Sequence, residues 1–295
     1  MQPSSVLESV LERDRTIVIS GLVAVIVLSW IYILMGAGMG MTAFEMTTTA
    51  LPGTSSSMNM AGQDSGMSSP KGMGGAMQMA HAAMMQPAVW TLSYAVLMFF
   101  MWWVMMIAMM LPSAAPMILL FARIQRGQKE KGAPFVPTSI FTMGYLVTWG
   151  VFSMLAAGTQ WGLERVGLLS AMMALTSGLF AGGVLLVAGI YQLTPLKHAC
   201  LRHCRSPLQF VMQHWRNGSS GAFRMGLDHG AFCLACCWFL MALLFVGGVM
   251  NLYWIVGLAV FVLLEKTIPA GHWFGSITGI GLMAWGGWMW VGTFM

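Results

Sequence analysis

Residues Gly226 to Leu240 read GLDHGAFCLACCWFL, an apolar run that carries an acid, a histidine and three thiols. A segment greasy enough for lipid needs a reason to hold five groups that lipid solvates badly. Wound as a helix, it sets His229, Cys233 and Cys236 within an arc of about 60°, with Cys237 about 40° further round. Met225 extends the same stripe by one turn. Thiols and imidazole at this spacing can give three ligands to one ion from two turns of helix. Soft sulfur selects reduced copper, zinc or iron–sulfur chemistry. A lone cysteine in a membrane helix behaves as a small hydrophobe, but three of them sharing a face with a histidine are read here as metal ligands. Ionisable groups inside a membrane span are functional signals in their own right, which adds Asp228 to the candidates.

The rest of the chain agrees with a lipid setting. Hydrophobic residues make up 58% of the 295 and charged residues 8%, with a mean hydropathy of +0.75. Soluble domains are about a quarter charged, so the expected fold class is all-α, a polytopic integral membrane helical bundle. A span needs about 20 apolar residues, and runs approaching that lie near 16–38, 90–122, 136–158, 169–193, 227–249, 252–268 and 274–294, about seven transmembrane helices. The first run exceeds a signal-peptide core of about 7–15 residues and is read as a span. With the N-terminus in the cytoplasm, twelve Lys and Arg fall inside, and only Lys71 and Arg165 fall outside. That asymmetry orients the chain: N-terminus cytoplasmic, C-terminus extracytoplasmic. It also explains the net charge of +5 without nucleic acid, so the expected partner is the lipid bilayer.

Three regions follow: a cytoplasmic N-terminus and first span (1–38), a flexible Met-rich extracytoplasmic loop (39–88), and a helical membrane domain (89–295) with a Cys/His-bearing cytoplasmic loop (194–225). The outer loop contains SSSMNMAGQ and MQMAHAAMM, and so offers Met58, Met60, Met77, Met79 and His81. Thioethers bind reduced copper without losing a proton, and so work in an oxidising compartment. These strings resemble the Met-rich segments of periplasmic copper-handling proteins. The second span aligns Met98, Met101, Met105 and Met109 on one stripe, beside Met106 and Met110. Such a stripe resembles the methionine rungs of high-affinity copper transporters, although Met at helical spacing also serves as ordinary packing.

The inner loop reads TPLKHACLRHCRSP. If helical, it puts Cys200, Cys204 and His203 on one face, and it leads directly into the span that bears His229 and Cys233. Glu265 and Lys266 end the sixth span at the same level. Five thiols thus gather on the reducing side of the membrane, where ligands are favoured over disulfides. Pro112 and Pro116 free backbone carbonyls near the inner end of the second span. No phosphate-cradling loop, Ser-His-Asp set or paired carboxylate appears, so hydrolysis and phosphoryl transfer are disfavoured, and whether the protein is an enzyme is left open.

The strings MMIAMMLPSAAPM, YQLTPLKHACLRHCRSP, HGAFCLACCW followed by MNLYW, and EKTIP occur in order over roughly residues 98–270. Together they resemble a bacterial domain-of-unknown-function family described as predicted metal-binding integral membrane proteins. The resemblance implies a bacterial inner (cell) membrane location and a bound metal. It matches Cys200, Cys204, His229, Cys233, Cys236, Cys237, Glu265 and Lys266; His198, His203 and the Met-rich loop lie outside its pattern. The reading is therefore a membrane protein that binds, transfers or senses reduced copper, with Met101, Met105 and Met109 linking outer and inner ligands. Its partners would be a metallochaperone or a larger membrane complex. Zinc at the Cys/His site, a membrane redox protein and an accessory subunit are the alternatives.

Overall fold

The computed structural model describes residues 4–40, 42–49, 89–130, 136–170, 172–268 and 271–295. The Met-rich segment, with Met58, Met60, Met77, Met79 and His81, lies outside the described residues. Eleven helices account for most of the described chain: α1 (Ser4–Leu34), α2 (Ala43–Thr49), α3 (Leu92–Glu130), α4 (Thr138–Arg165), α5 (Gly178–Gln192), α6 (Pro195–Arg205), α7 (Pro207–His214), α8 (Gly218–Ala242), α9 (Leu244–Gly247), α10 (Leu252–Thr267) and α11 (Gly271–Phe294). Among the described residues, four helical segments are long and apolar enough to cross a membrane: Thr16–Leu34, Leu92–Gln128, Thr138–Arg165 and Gly218–Gly247. The pair α5–α6, bent by 65°, makes a fifth if taken as one span. The bundle is thus all-helical as expected, while α10 falls short in length and the Gly- and Trp-rich α11 in hydropathy.

Two departures from the sequence reading have local causes. The run 169–193 is helical only from Gly178. Before it, Leu169 bridges Leu175, and Ser170 N–H donates to the Ala174 carbonyl at 2.8 Å, so this apolar segment satisfies its backbone without a helix. The stretch 194–225 is no simple loop. Pro195 occupies the first turn of α6, and the Thr194 hydroxyl accepts the Lys197 N–H, which together start a helix. α6 and α7 then bury Lys197, Cys200, Leu201, Phe210 and Val211 against the bundle.

Two glycine-mediated contacts fix the frame. α5 lies along α11 through Gly182, Gly189, Gly279 and Gly286, where a Cβ on Gly279 would meet the Gly189 carbonyl at 2.9 Å. α4 lies along α8 through Gly144, Gly226 and Gly230. A Cβ on Gly226 would overlap the Phe141 carbonyl oxygen, so only glycine lets these backbones approach this closely. That second contact sets the cysteine-bearing helix against Tyr145 of α4. The long α3, continuous through Pro112 and Pro116, packs against α1, α4 and α10 and is the most deeply buried of the apolar helices.

Candidate metal centre

The three thiols of α8 face inward as their spacing predicts: Cys233, Cys236 and Cys237 are each 1% exposed and His229 is 3% exposed. Asp228, 100° round the helix from His229, instead turns outward and stands 3.8 Å from Arg216 with a third of its side chain exposed. It is not brought into the cluster.

Cys233 is the hub. Its Sγ accepts from Lys266 Nζ at 2.9 Å and lies 3.1 Å from the Tyr145 hydroxyl. Tyr145 also donates to the Met110 carbonyl at 3.2 Å, and Lys266 donates to Ser113 Oγ at 3.2 Å. Ser113 in turn donates to that Met110 carbonyl at 2.8 Å. The stretch of α3 between Met110 and Pro116 therefore forms the polar wall of the cluster. Cys236 and Cys237 both donate to the Cys233 carbonyl at 3.0 Å, and Cys237 Sγ is 4.0 Å from Met110 Sδ.

α6 contributes a fourth thiol, since Cys204 interacts with both Cys233 and Cys236. Cys200 is buried in the same layer, near Cys236, without entering the hub. His203 leaves its sulfur neighbours: its ring stacks on Phe232 at 4.3 Å and its Nδ1 contacts the Ala199 carbonyl at 3.0 Å. His229 sits among Phe141, Tyr145 and Phe210, and its Nδ1 is buried with no hydrogen-bond partner among the described residues.

Glu265 and Lys266, adjacent in sequence, serve two polar clusters. Lys266 points at the thiols, whereas Glu265 pairs with Lys197 at 2.5 Å, and Lys197 also donates to Gln192. Lys197 and Lys266 are among the twelve cations counted above as inside; both are buried within the bundle. Without them the expected count is ten basic residues inside against two outside. Met101, Met105 and Met109 are buried along α3, on the stripe their spacing predicts.

Tyr145, Ser113, Lys197 and Gln192 escaped the sequence reading. Each is an unremarked residue in an apolar run or a basic loop, and its role comes from packing between distant helices. The Thr-Pro pair at 194–195, which starts α6, was the one available signal.

The donor set fits a soft ion better than a hard one: four thiols, one thioether and one buried imidazole nitrogen without a partner. The donors are gathered but not closed. Cys236 and Cys237 turn back to the Cys233 carbonyl, and among the described residues no three Cys, His, Asp or Glu side chains form a metal-holding group.

A helical bundle with buried sulfur donors of this kind belongs, by its chemistry, with proteins that handle soft metals. Residues 99–289 match the family "PpoB2: Copper chaperone", more than half of the chain, and the chain belongs to that family. The matched region begins in α3 and ends in α11, and so contains every residue of the thiol cluster. Copper handling, in a general sense, follows from that membership. No curated protein and no solved structure matches the chain.

Proposed function

We propose that the protein is a polytopic membrane protein that holds reduced copper as cargo at the thiol cluster and passes it on. The observation that carries this is the meeting of three helices at one soft-donor centre: Cys233, Cys236 and Cys237 from α8, Cys204 from α6 and Met110 from α3. Copper in its reduced state takes thiolate and thioether ligands. Each thiol that binds releases its proton. Met110 distinguishes this set from a zinc site, where Cys and His alone suffice; zinc remains the alternative for the Cys/His part.

In this reading Lys266 and Tyr145 occupy the Cys233 sulfur while the cargo is away. The ammonium must leave the sulfur before a cation can take its place, so release and capture exchange one positive charge for another at the same atom. His229 offers its unpartnered nitrogen one turn from Cys233. Met101, Met105 and Met109 line the approach along α3.

The four apolar helices, with α5–α6, α10 and α11 as further membrane segments, give about seven spans. In this reading the excess of basic residues supports an orientation with the thiols toward the cytoplasmic side of a bacterial inner membrane. The exposed Val23, Leu28, Met154, Leu155 and Ile277 suit contact with lipid tails. A cytoplasmic metallochaperone or a larger membrane complex is the expected receiver.

Element-resolved metal analysis of the detergent-purified protein tests the proposal. About one copper per chain more in wild type than in a Cys233→Ser/Cys236→Ser/Cys237→Ser variant supports it. Copper missing from the wild type, or a copper content unchanged by the triple variant, overturns it.

A further inference from the structure

A second group of soft donors lies toward the N-terminal end of α3, and the thiol centre makes no use of it. Gln160 of α4 is fully buried, and its amide nitrogen stands 3.4 Å from Met98 Sδ, 3.2 Å from Met173 Sδ and 2.9 Å from Glu164 Oε1. Trp102 fixes which end of the amide is which. An indole N–H can only donate, and it donates to Gln160 Oε1 at 2.8 Å, leaving the NH2 to face the other three groups. That NH2 has two hydrogens for three acceptors. Two hydrogens cannot serve all three, so at least one of these groups takes no hydrogen bond from the amide.

Met173 reaches this place at a cost. Its φ of 54° is in the left-handed region that an unbranched L-residue seldom adopts. Strained backbone of this kind persists where surrounding structure holds it, and such places cluster at functional sites. Trp90 steadies the carboxylate by donating to Glu164 Oε2 at 2.5 Å.

We propose that Met98, Met173 and Glu164 form a second binding site for a soft monovalent cation, with the Gln160 amide standing where the ion would sit. Two thioethers supply polarizable sulfur that needs no deprotonation, and one carboxylate balances a single positive charge. A divalent hard cation is poorly served, because it prefers six or more oxygen ligands. Copper in its reduced state and silver(I) are the ions that fit. The step is one of binding only: no electron moves and no proton is released. Amide-to-sulfur separations of 3.2–3.4 Å exceed a metal–sulfur bond of about 2.3 Å, so the sulfurs close in by about 1 Å, within the reach of flexible Met side chains.

The site lies twelve residues from Met110, about 18 Å along α3. Met101, Met105, Met106 and Met109 are buried between the two. The inference rests on the copper reading above and adds to it an entry station nearer the N-terminal end of α3.

The test uses the full chain in detergent, titrated with silver(I) and analysed for bound silver after free ion is removed. In the Cys233→Ser/Cys236→Ser/Cys237→Ser background, adding Met98→Leu and Met173→Leu is expected to remove one bound silver per chain. Silver held by the Met-rich segment is untouched by those changes and cancels in the difference. Unchanged silver in the five-residue variant overturns the second site and leaves the thiol reading intact. No silver on the wild type removes the thiol reading and the second site with it. Gln160→Met guards against a folding artefact, because it puts a third thioether in the amide's place. It is expected to tighten silver binding at least tenfold in the triple-Ser background, with stronger quenching of Trp102 emission; no gain overturns the site.

Discussion

Replacing Lys197 by methionine asks how much an unpaired charge costs at the centre of this bundle. Lys197 Nζ stands 2.5 Å from Glu265 Oε1, with the side chains 0% and 2% exposed. At that separation and an effective dielectric of about 20, the attraction is roughly 6–7 kcal/mol before desolvation. Desolvation of two ions offsets most of it, so the intact pair adds little net stability. Removing one partner is different, because the carboxylate of Glu265 is then buried without its counter-ion. Lys197→Met should lower the unfolding free energy by about 3–5 kcal/mol, while Lys197→Met combined with Glu265→Leu should stay within about 1 kcal/mol of wild type. Denaturant unfolding of the detergent-solubilised protein, followed by circular dichroism, measures both. α6 carries Cys204 as well as Lys197, so maleimide labelling of Cys204 should also quicken in the single variant and return toward normal in the double. A single variant as stable as wild type, or a double as unstable as the single, would refute the reasoning.

Three further outcomes follow from the same contacts. Gly226→Ala forces a Cβ against the Phe141 carbonyl, and overpacking of this kind costs about 1–3 kcal/mol, read as a lowered Tm. Met110→Leu conserves volume, so stability should change by less than about 1.5 kcal/mol. Its affinity for reduced copper should nevertheless fall by about 10–100-fold, at least what losing an outer-shell partner costs, measured by competition with a chromophoric chelator. Tyr145→Phe removes the hydroxyl shared by Cys233 and the Met110 carbonyl and should destabilise by about 0.5–1.5 kcal/mol in thermal melts.

Much of this centre was legible in the sequence because it rests on one helix. His229, Cys233, Cys236 and Cys237 share a face through the 3.6-residue repeat alone, and the structure buries all four. The buried stripe Met101, Met105 and Met109 followed from the same periodicity. What depended on two helices meeting was hidden. Nothing in the sequence marks Tyr145 apart from other aromatic residues, since its role exists only because Gly144 and Gly226 let α4 and α8 touch. Lys197 reads only as a topology charge, because a count of basic residues cannot tell a solvated lysine from a buried one, whereas Lys266 is also among the residues that the family resemblance matches beside the thiols. Span counting met a similar limit. An apolar composition does not reveal that 169–177 closes on itself through a β-bridge, or that α5 and α6 meet at 65°. Asp228, a candidate because it is ionisable inside an apolar run, points away from the cluster, since neighbours on a helix face different ways.

Copper K-edge absorption on protein loaded with one equivalent of reduced copper addresses the thiol centre most directly. The account predicts a first shell of about three sulfur atoms in wild type, replaced by lighter ligands once Cys233, Cys236 and Cys237 are serine and Met98 and Met173 are leucine. A wild-type shell of oxygen and nitrogen alone, or a three-sulfur shell unchanged by those five substitutions, would contradict it.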